Sequence, residues 1–101
     1  MKQSCIDYLT EQLGDPDAAA EVYAEYASSF RKKLAEAKDR FAARDWKNLD
    51  FAVHTLKGNA LSAGDRTAAE TAIELRTAAT LADEEKAWTL LARLSQMAEE
   101  L

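Results

Sequence analysis

The chain has 101 residues, of which 48% are apolar and 31% are charged, and its formal net charge is −5 at pH 7. This size fits a single domain over residues 1–101 with one core, and it excludes a kinase or other nucleotide-binding catalytic domain beside that core. The acidic balance argues against a nucleic-acid partner and against an anionic membrane surface, because both require a basic face.

Helix-forming residues dominate the whole chain, and β-branched residues never alternate over a strand-length run, which favours an all-α fold. A short first helix is predicted over about residues 3–13. Its inward-facing residues are Ile6, Leu9 and Leu13. The segment Gly14-Asp15-Pro16 ends this helix, because Gly followed by Pro interrupts regular structure.

A second, long helix is predicted from Pro16 to about Ala43, with Asp15 or Asp17 as its cap and Pro16 in its first turn. Apolar residues recur along it at helical spacing: Val22, Tyr26, Phe30, Leu34, Ala37 and Phe41. This recurrence predicts one apolar stripe that packs against another helix.

The third helix is predicted from about Trp46 to Ala63, with Asp45 as its cap and Gly64 as its end. One arc of this helix is apolar, and its residues are Leu49, Val53, Leu56 and Ala60. We expect that arc to face the core.

The fourth helix is predicted over about Arg66 to Leu81, where the segment Thr67–Glu70 has the spacing of a capping box. The fifth helix opens at Asp83. Their inward-facing residues are Ala72, Leu75 and Ala79 in the fourth helix, and Ala87, Leu90, Leu91, Leu94, Met97 and Leu101 in the fifth.

Four long amphipathic helices joined by short connections have to bury their apolar stripes against one another. An up-down-up-down antiparallel four-helix bundle does so with the least chain. We therefore predict this bundle, with the short first helix as an extra element across one end.

The single cysteine, Cys5, excludes an internal disulfide and makes a reducing, cytoplasmic location the simpler expectation. The first residues are too polar for a signal peptide, and no run approaches the roughly 20 apolar residues of a membrane span. We therefore expect no membrane partner. One histidine and one cysteine in different helices do not make a zinc site, so no metal is expected.

The only histidine, His54, lies in the third helix, and Lys57 and Gly58 follow it by three and four residues. A titratable nitrogen, a positive charge and a gap in the side-chain surface therefore share one helix face. Helical geometry places His54 roughly 130° from the middle of the apolar arc, so the imidazole is predicted to face solvent. Phe51 and Leu61 lie on the same side and favour a docking face, because the core does not require them.

Each of these residues also has an ordinary explanation. A lone histidine on a solvated helix usually has no chemistry, Lys57 alone is a solvated lysine, and isolated apolar residues are normal on surfaces. A glycine inside a helix, such as Gly58, lowers its stability by about 1 kcal/mol relative to alanine. Two explanations for a glycine at this position are close approach by a partner and a tight helix crossing. Taken together, the residues favour an imidazole that carries a phosphoryl group, with Lys57 bound to a phosphate oxygen.

The segment His54-Thr-Leu-Lys57-Gly58, followed by Gly64, resembles the signature of histidine-containing phosphotransfer (HPt) domains. The similarity extends to the helix before the motif and to an Asp-led turn, through Phe30, Leu34, Phe41, Asp45 and Trp46. It implies a four-helix bundle in which His54 accepts a phosphoryl group from the aspartyl phosphate of a receiver domain and passes it to another receiver. In that family the lysine steadies the phosphate, and the glycine clears the approach of the partner.

The same resemblance implies how the work is divided between the partners. The receiver domain supplies the acidic pocket and Mg²⁺, so this chain binds no cofactor and acts as a carrier rather than a stand-alone enzyme. Its partners in two-component signalling are response-regulator receiver domains, and a hybrid sensor kinase is a further candidate.

One position of the candidate site departs from the family pattern. Many HPt domains carry Glu or Gln on the next helix, where it hydrogen-bonds the other ring nitrogen. Counting from the motif without an insertion or deletion places Arg76 at that position. Arginine cannot accept a hydrogen bond, so two roles stay open for it: contact with the phosphate, and a side chain that points into water. Asn59 and Asp65 also stand where the family has small residues. The alternative function is a non-catalytic HPt-like binding module that docks on a receiver or kinase without carrying phosphate.

Overall fold

The computed structural model describes all residues from Met1 to Leu101 and contains five α-helices and no strand. The helices are α1 (Gln3–Leu13), α2 (Pro16–Ala42), α3 (Trp46–Ser62), α4 (Arg66–Thr80) and α5 (Glu84–Glu100). The predicted all-α fold is therefore confirmed, and the predicted helix bounds lie within about one residue of those observed. None of the five helices combines the length and the apolar character that a membrane crossing requires.

One backbone pattern recurs at every connection between helices. A residue with positive φ closes one helix, and the aspartate after it caps the next; the pairs are Gly14-Asp15, Arg44-Asp45, Gly64-Asp65 and Ala82-Asp83. Each aspartate accepts a hydrogen bond from a backbone N–H two or three residues further on, at 3.0–3.4 Å. The caps satisfy donors that would otherwise lack a partner at the helix N-termini.

The cap of α4 differs from the prediction. Asp65, not Thr67, is the N-cap, and its carboxylate accepts the hydrogen bond from the backbone N–H of Ala68. Thr67 lies inside the first turn of the helix. The spacing of Thr67 and Glu70 suggested a capping box, but the aspartate before the helix already fills that role.

The core is one cluster of 26 buried apolar residues. The predicted inward-facing residues of α3 and α4 are all buried, as are Ala87, Leu90, Leu91 and Leu94 of α5, whereas Met97 and Leu101 are half-buried. Two predicted core residues are wrong, because Leu13 and Val22 are exposed. Cys5 and Tyr23 are buried instead, since the packing of α1 on α2 turns neighbouring residues inward.

The helices contact one another in a closed cycle. α2 packs against α3, α3 against α4, α4 against α5, and α5 again against α2, while α1 packs on α2. The molecule measures 42 × 19 × 19 Å, and its long dimension matches the roughly 40 Å that a helix of the length of α2 spans. This is the set of contacts expected of an up-down-up-down bundle of α2–α5.

The carboxylate of Asp65 joins α1 to the rest of the molecule. It is 1% exposed, forms an ion pair with Lys2 Nζ, and accepts a hydrogen bond from Tyr26 Oη at 2.7 Å. Burial and that hydrogen bond raise the pKa of Tyr26, so the phenol remains a donor. Asp65 therefore lies in a buried network beneath α1 and does not contribute to an exposed partner surface.

We predict that Gly64→Ala destabilises the fold. Gly64 has φ +69°, and an added Cβ would overlap Cγ of Tyr8 in α1. The left-handed conformation alone costs a residue with a side chain roughly 1–2 kcal/mol, and the overlap with Tyr8 adds to that cost. The measurement is the free energy of unfolding in urea.

Gly14→Ala is the matched control for this substitution. Gly14 has the same φ of +69°, but nothing lies within 4 Å of its added Cβ. We therefore expect a clearly smaller loss of stability for Gly14→Ala, and equal losses for the two variants would show that Tyr8 does not constrain Gly64.

Candidate functional site

The candidate site lies on the outer faces of α3 and α4. His54, near the middle of α3, is exposed, whereas its neighbours Val53 and Leu56 are fully buried. Because the core takes one face of α3, the imidazole lies on the face that turns to solvent. This is the position that the helical spacing predicts for His54.

Arg76 of α4 reaches the imidazole from the neighbouring helix. Its Nη1 lies 3.0 Å from Nδ1 of His54, and its Nε donates a hydrogen bond to Oδ1 of Asp50 at 2.9 Å. Asp50 precedes His54 by one helical turn, so a single guanidinium bridges two turns of α3. The side chain of Arg76 therefore does not simply point into water, and its contact with a phosphate remains a prediction.

The contact with Arg76 determines where the proton of the neutral imidazole lies. An arginine side chain only donates hydrogen bonds, and its hydrogen bond with Asp50 raises the pKa of Arg76 still further. Nδ1 of His54 must therefore offer a free electron pair, which leaves the proton of a neutral ring on Nε2. This is the reverse of the arrangement that the resemblance implies, in which an acceptor holds a proton on Nδ1.

Lys57 lies beside this contact and has no partner of its own. It is half-buried and lines a groove of about 500 Å³ between α3 and α4, together with Asp50, Ile73 and Arg76. Asp50 pairs with Arg76, whereas no carboxylate lies within ion-pair distance of the Lys57 ammonium. The three N–H donors of Lys57 are therefore available for an anionic ligand.

Gly58 leaves a gap in the surface one turn after His54. Nothing lies within 4 Å of the position that an added Cβ would occupy. A tight helix crossing, the ordinary explanation for this glycine, is therefore wrong. The gap is open to solvent, as close approach by a partner requires.

Large apolar side chains are exposed on both helices of the candidate site. Phe51 and Leu61 of α3 are 61% and 54% exposed, and Ile73 of α4 is 50% exposed. We refer to Phe51, Gly58, Leu61 and Ile73 as the docking surface. Large exposed apolar residues are typical of protein-interaction sites, and the role of these four residues remains a prediction.

Two residues of the candidate site, Asp50 and Ile73, are not predicted from the sequence. Asp50 precedes His54 by four residues, so the spacing of the two on one helix face was a usable signal. Ile73 precedes Arg76 by three residues, which places the two on one face of α4. Asn59 is half-buried in a small groove against α2 and lies apart from the docking surface.

A larger groove of about 920 Å³ lies elsewhere, between α2 and α5. Its aromatic residues are Phe41 and Trp88, and its arginines, Arg44 and Arg93, pair with Glu84 and Glu74. No histidine, cysteine or acidic residue lines this groove. No group of three or more potential metal ligands occurs in the molecule. The groups suited to chemistry are those around His54.

Comparison with known proteins gives one match. The family model described as Hpt domain matches residues 21–101, from within α2 to the end of the chain. This range contains every residue of the candidate site. A search of curated proteins and a search of solved structures found no match.

We predict that Gly58→Ala raises the stability of the fold. Replacing glycine by alanine in the middle of a helix contributes about 0.5–1 kcal/mol, and the new methyl group meets no other atom. Urea denaturation measures this gain. The reciprocal control is Ala24→Gly at an exposed position inside α2, which should lose a similar amount. A Gly58→Ala variant less stable than the parent protein would contradict the open gap.

Proposed function

The chain belongs to the Hpt domain family, and we propose that it is a phosphorelay carrier: His54 accepts a phosphoryl group from a receiver-domain aspartyl phosphate and passes it to another receiver. The family performs phosphotransfer in two-component signalling, and Hpt domains interact with receiver domains. The observation that carries the proposal is an exposed imidazole on a family-matched helix, with the unpaired Lys57 one helical turn further on, in the groove that Asp50 and Arg76 also line.

The transfer moves phosphorus between an oxygen and a nitrogen. The free electron pair of Nε2 of His54 forms the N–P bond while the P–O bond to the receiver's aspartate breaks, and the carboxylate leaves. Lys57 donates to phosphoryl oxygens and offsets their negative charge. The gap at Gly58 gives the receiver access to the ring. Attack through Nε2 requires a free electron pair on that atom, so the proton of the neutral ring has to lie on Nδ1. Arg76 therefore has to release Nδ1 before transfer.

The remaining parts of the reaction belong to the partner. We propose that the receiver domain holds the acidic pocket and the Mg²⁺ ion, and that this chain binds no cofactor. On this proposal the chain is a carrier without catalysis of its own, its partners are response-regulator receivers and a hybrid sensor kinase, and its location is cytoplasmic.

A second candidate function is a non-catalytic module that docks on a receiver or kinase without carrying phosphate. The contact between Arg76 and Nδ1 of His54 favours it, because this contact leaves the proton of the neutral ring on Nε2 and removes the free electron pair there. Transfer of phosphate to His54 would exclude this candidate.

Transfer from a phosphorylated receiver tests the proposed role of His54 and Lys57. We expect acid-labile phosphate on the parent protein and none on His54→Gln. Lys57→Ala should fold normally and transfer roughly tenfold more slowly, because it loses a charge-assisted hydrogen bond to the phosphate. The readout is the rate at which radiolabelled phosphate reaches the chain.

Lys47→Ala is the matched control, since Lys47 is an exposed and unpaired lysine at the start of α3. It should transfer at the rate of the parent protein. Phosphate uptake by His54→Gln would contradict the assignment of His54, and unfolding of Lys57→Ala would make Lys57 a structural residue.

Substitutions in the docking surface test where the receiver binds. Phe51→Ala and Ile73→Ala should each weaken binding of a receiver by about 1 kcal/mol or more, because each removes an exposed apolar side chain from the docking surface. Titration calorimetry measures the affinity. Trp88→Ala serves as the control, since Trp88 is 65% exposed but lies on α5. Weaker binding for Trp88→Ala alone would place the interface in the groove between α2 and α5.

A further inference from the structure

We propose that Arg76, held by Asp50, is a positioning residue that keeps Nδ1 of His54 unprotonated and thereby lengthens the life of the phosphorylated state. The proposal rests on the proposed function, because it concerns the phosphohistidine that forms on His54. It assigns to Arg76 an effect opposite to that of a glutamate or glutamine at the same position.

Asp50 fixes the orientation of the guanidinium. Oδ1 of Asp50 accepts from Nε of Arg76 at 2.9 Å, and Oδ2 accepts from Nη2 at 3.5 Å. With these two nitrogens turned towards the carboxylate, the third, Nη1, reaches Nδ1 of His54 at 3.0 Å. A planar guanidinium held in this way cannot turn an acceptor towards the ring, because it has none.

The charges around the ring come from two helices. α3 supplies Asp50 and Lys57, and α4 supplies Arg76. Arg76 donates to the unprotonated form of Nδ1, and its positive charge opposes a proton on that atom. Asp50 offsets part of this charge but contacts Arg76, not the ring.

The protonation state of Nδ1 controls how readily a phosphoryl group leaves the ring. Attack through Nε2 gives a ring with an N–P bond and a proton on Nδ1, and loss of that proton to water makes the ring neutral. A ring protonated at Nδ1 leaves as neutral imidazole when the N–P bond breaks, whereas an unprotonated ring has to leave as an anion. Stabilising the unprotonated form therefore slows both hydrolysis and onward transfer.

Before phosphorylation, the contact between Arg76 and Nδ1 of His54 hinders acceptance of the phosphoryl group. In the free neutral ring it favours the tautomer with the proton on Nε2, which has no electron pair there for attack. Arg76 is thus expected to slow acceptance of the phosphoryl group and to prolong its retention. This combination suits a store of phosphate more than a fast relay.

The tautomer gives the first test and requires no phosphate. Because His54 is the only histidine, the long-range ¹H–¹⁵N spectrum of labelled protein contains one imidazole, whose two nitrogen shifts report the tautomer. We expect the proton on Nε2 in the parent protein and a shift towards Nδ1–H in Arg76→Gln. Arg66→Gln, an exposed and unpaired arginine on the same helix, is the control and should match the parent. Identical ring spectra for the parent and Arg76→Gln would overturn the proposal.

The lifetime of the phosphohistidine gives the second test. Phosphoramidate supplies the phosphoryl group without a receiver, since its P–N bond breaks and ammonia leaves as the N–P bond to His54 forms. ³¹P spectra then follow the loss of phosphate from acidic to alkaline pH. Hydrolysis should accelerate on acidification in every variant, and the acceleration should begin at lower pH in the parent protein than in Arg76→Gln. Asp50→Asn should lie between the two.

The outcomes separate this proposal from the proposed function. A parent protein and an Arg76→Gln variant with the same pH profile of hydrolysis would overturn the role of Arg76 and leave the carrier function standing. Failure of a receiver to phosphorylate His54 would overturn the carrier function, while the phosphoramidate and tautomer measurements would still test Arg76.

Discussion

The close packing of α3 against α4 is the interaction on which the candidate site depends. The inward face of α4 consists mainly of small side chains, with Ala68, Ala69, Ala72, Ala78 and Ala79 all buried. Small residues at a helix contact allow the two axes to approach closely. That approach brings Arg76 to 3.0 Å from Nδ1 of His54 and 2.9 Å from Asp50. Larger residues on this face would separate the helices and leave His54 as an isolated surface group.

Much of the fold follows from local sequence signals. Gly14 and Gly64 end helices, and Asp15, Asp45 and Asp83 cap the helices that follow them, so the predicted bounds are close to those observed. The errors arise where tertiary contacts decide the outcome. Leu13 and Val22 have helical spacing that fits a core, but α1 packs on α2 in an orientation that buries Cys5 and Tyr23 instead. Propensity and spacing within one helix do not determine that orientation.

For the candidate site, too, features set within one helix are predictable from the sequence, whereas contacts between helices are not. Exposure of His54 and the open gap at Gly58 follow from positions within one helix, and the structure shows both. Counting along the chain without an insertion or deletion places Arg76 opposite His54, because the single short connection between α3 and α4 leaves little freedom in the register. The ion pair with Asp50 was not predicted, since it depends on how side chains of two helices share one groove. It is this ion pair that directs a donor towards the ring.

The two cations of the candidate site, Lys57 and Arg76, have different roles. Lys57 is unpaired and available to the phosphate, whereas Arg76 is bound to Asp50 and to the ring. The atom that we expect to carry the phosphoryl group is Nε2 of His54. The ³¹P–¹⁵N coupling in labelled protein, measured after transfer from a receiver domain, identifies this atom. We expect one phosphorus bonded to Nε2 of His54, and phosphorus on Nδ1, or on no ring nitrogen, would exclude this assignment.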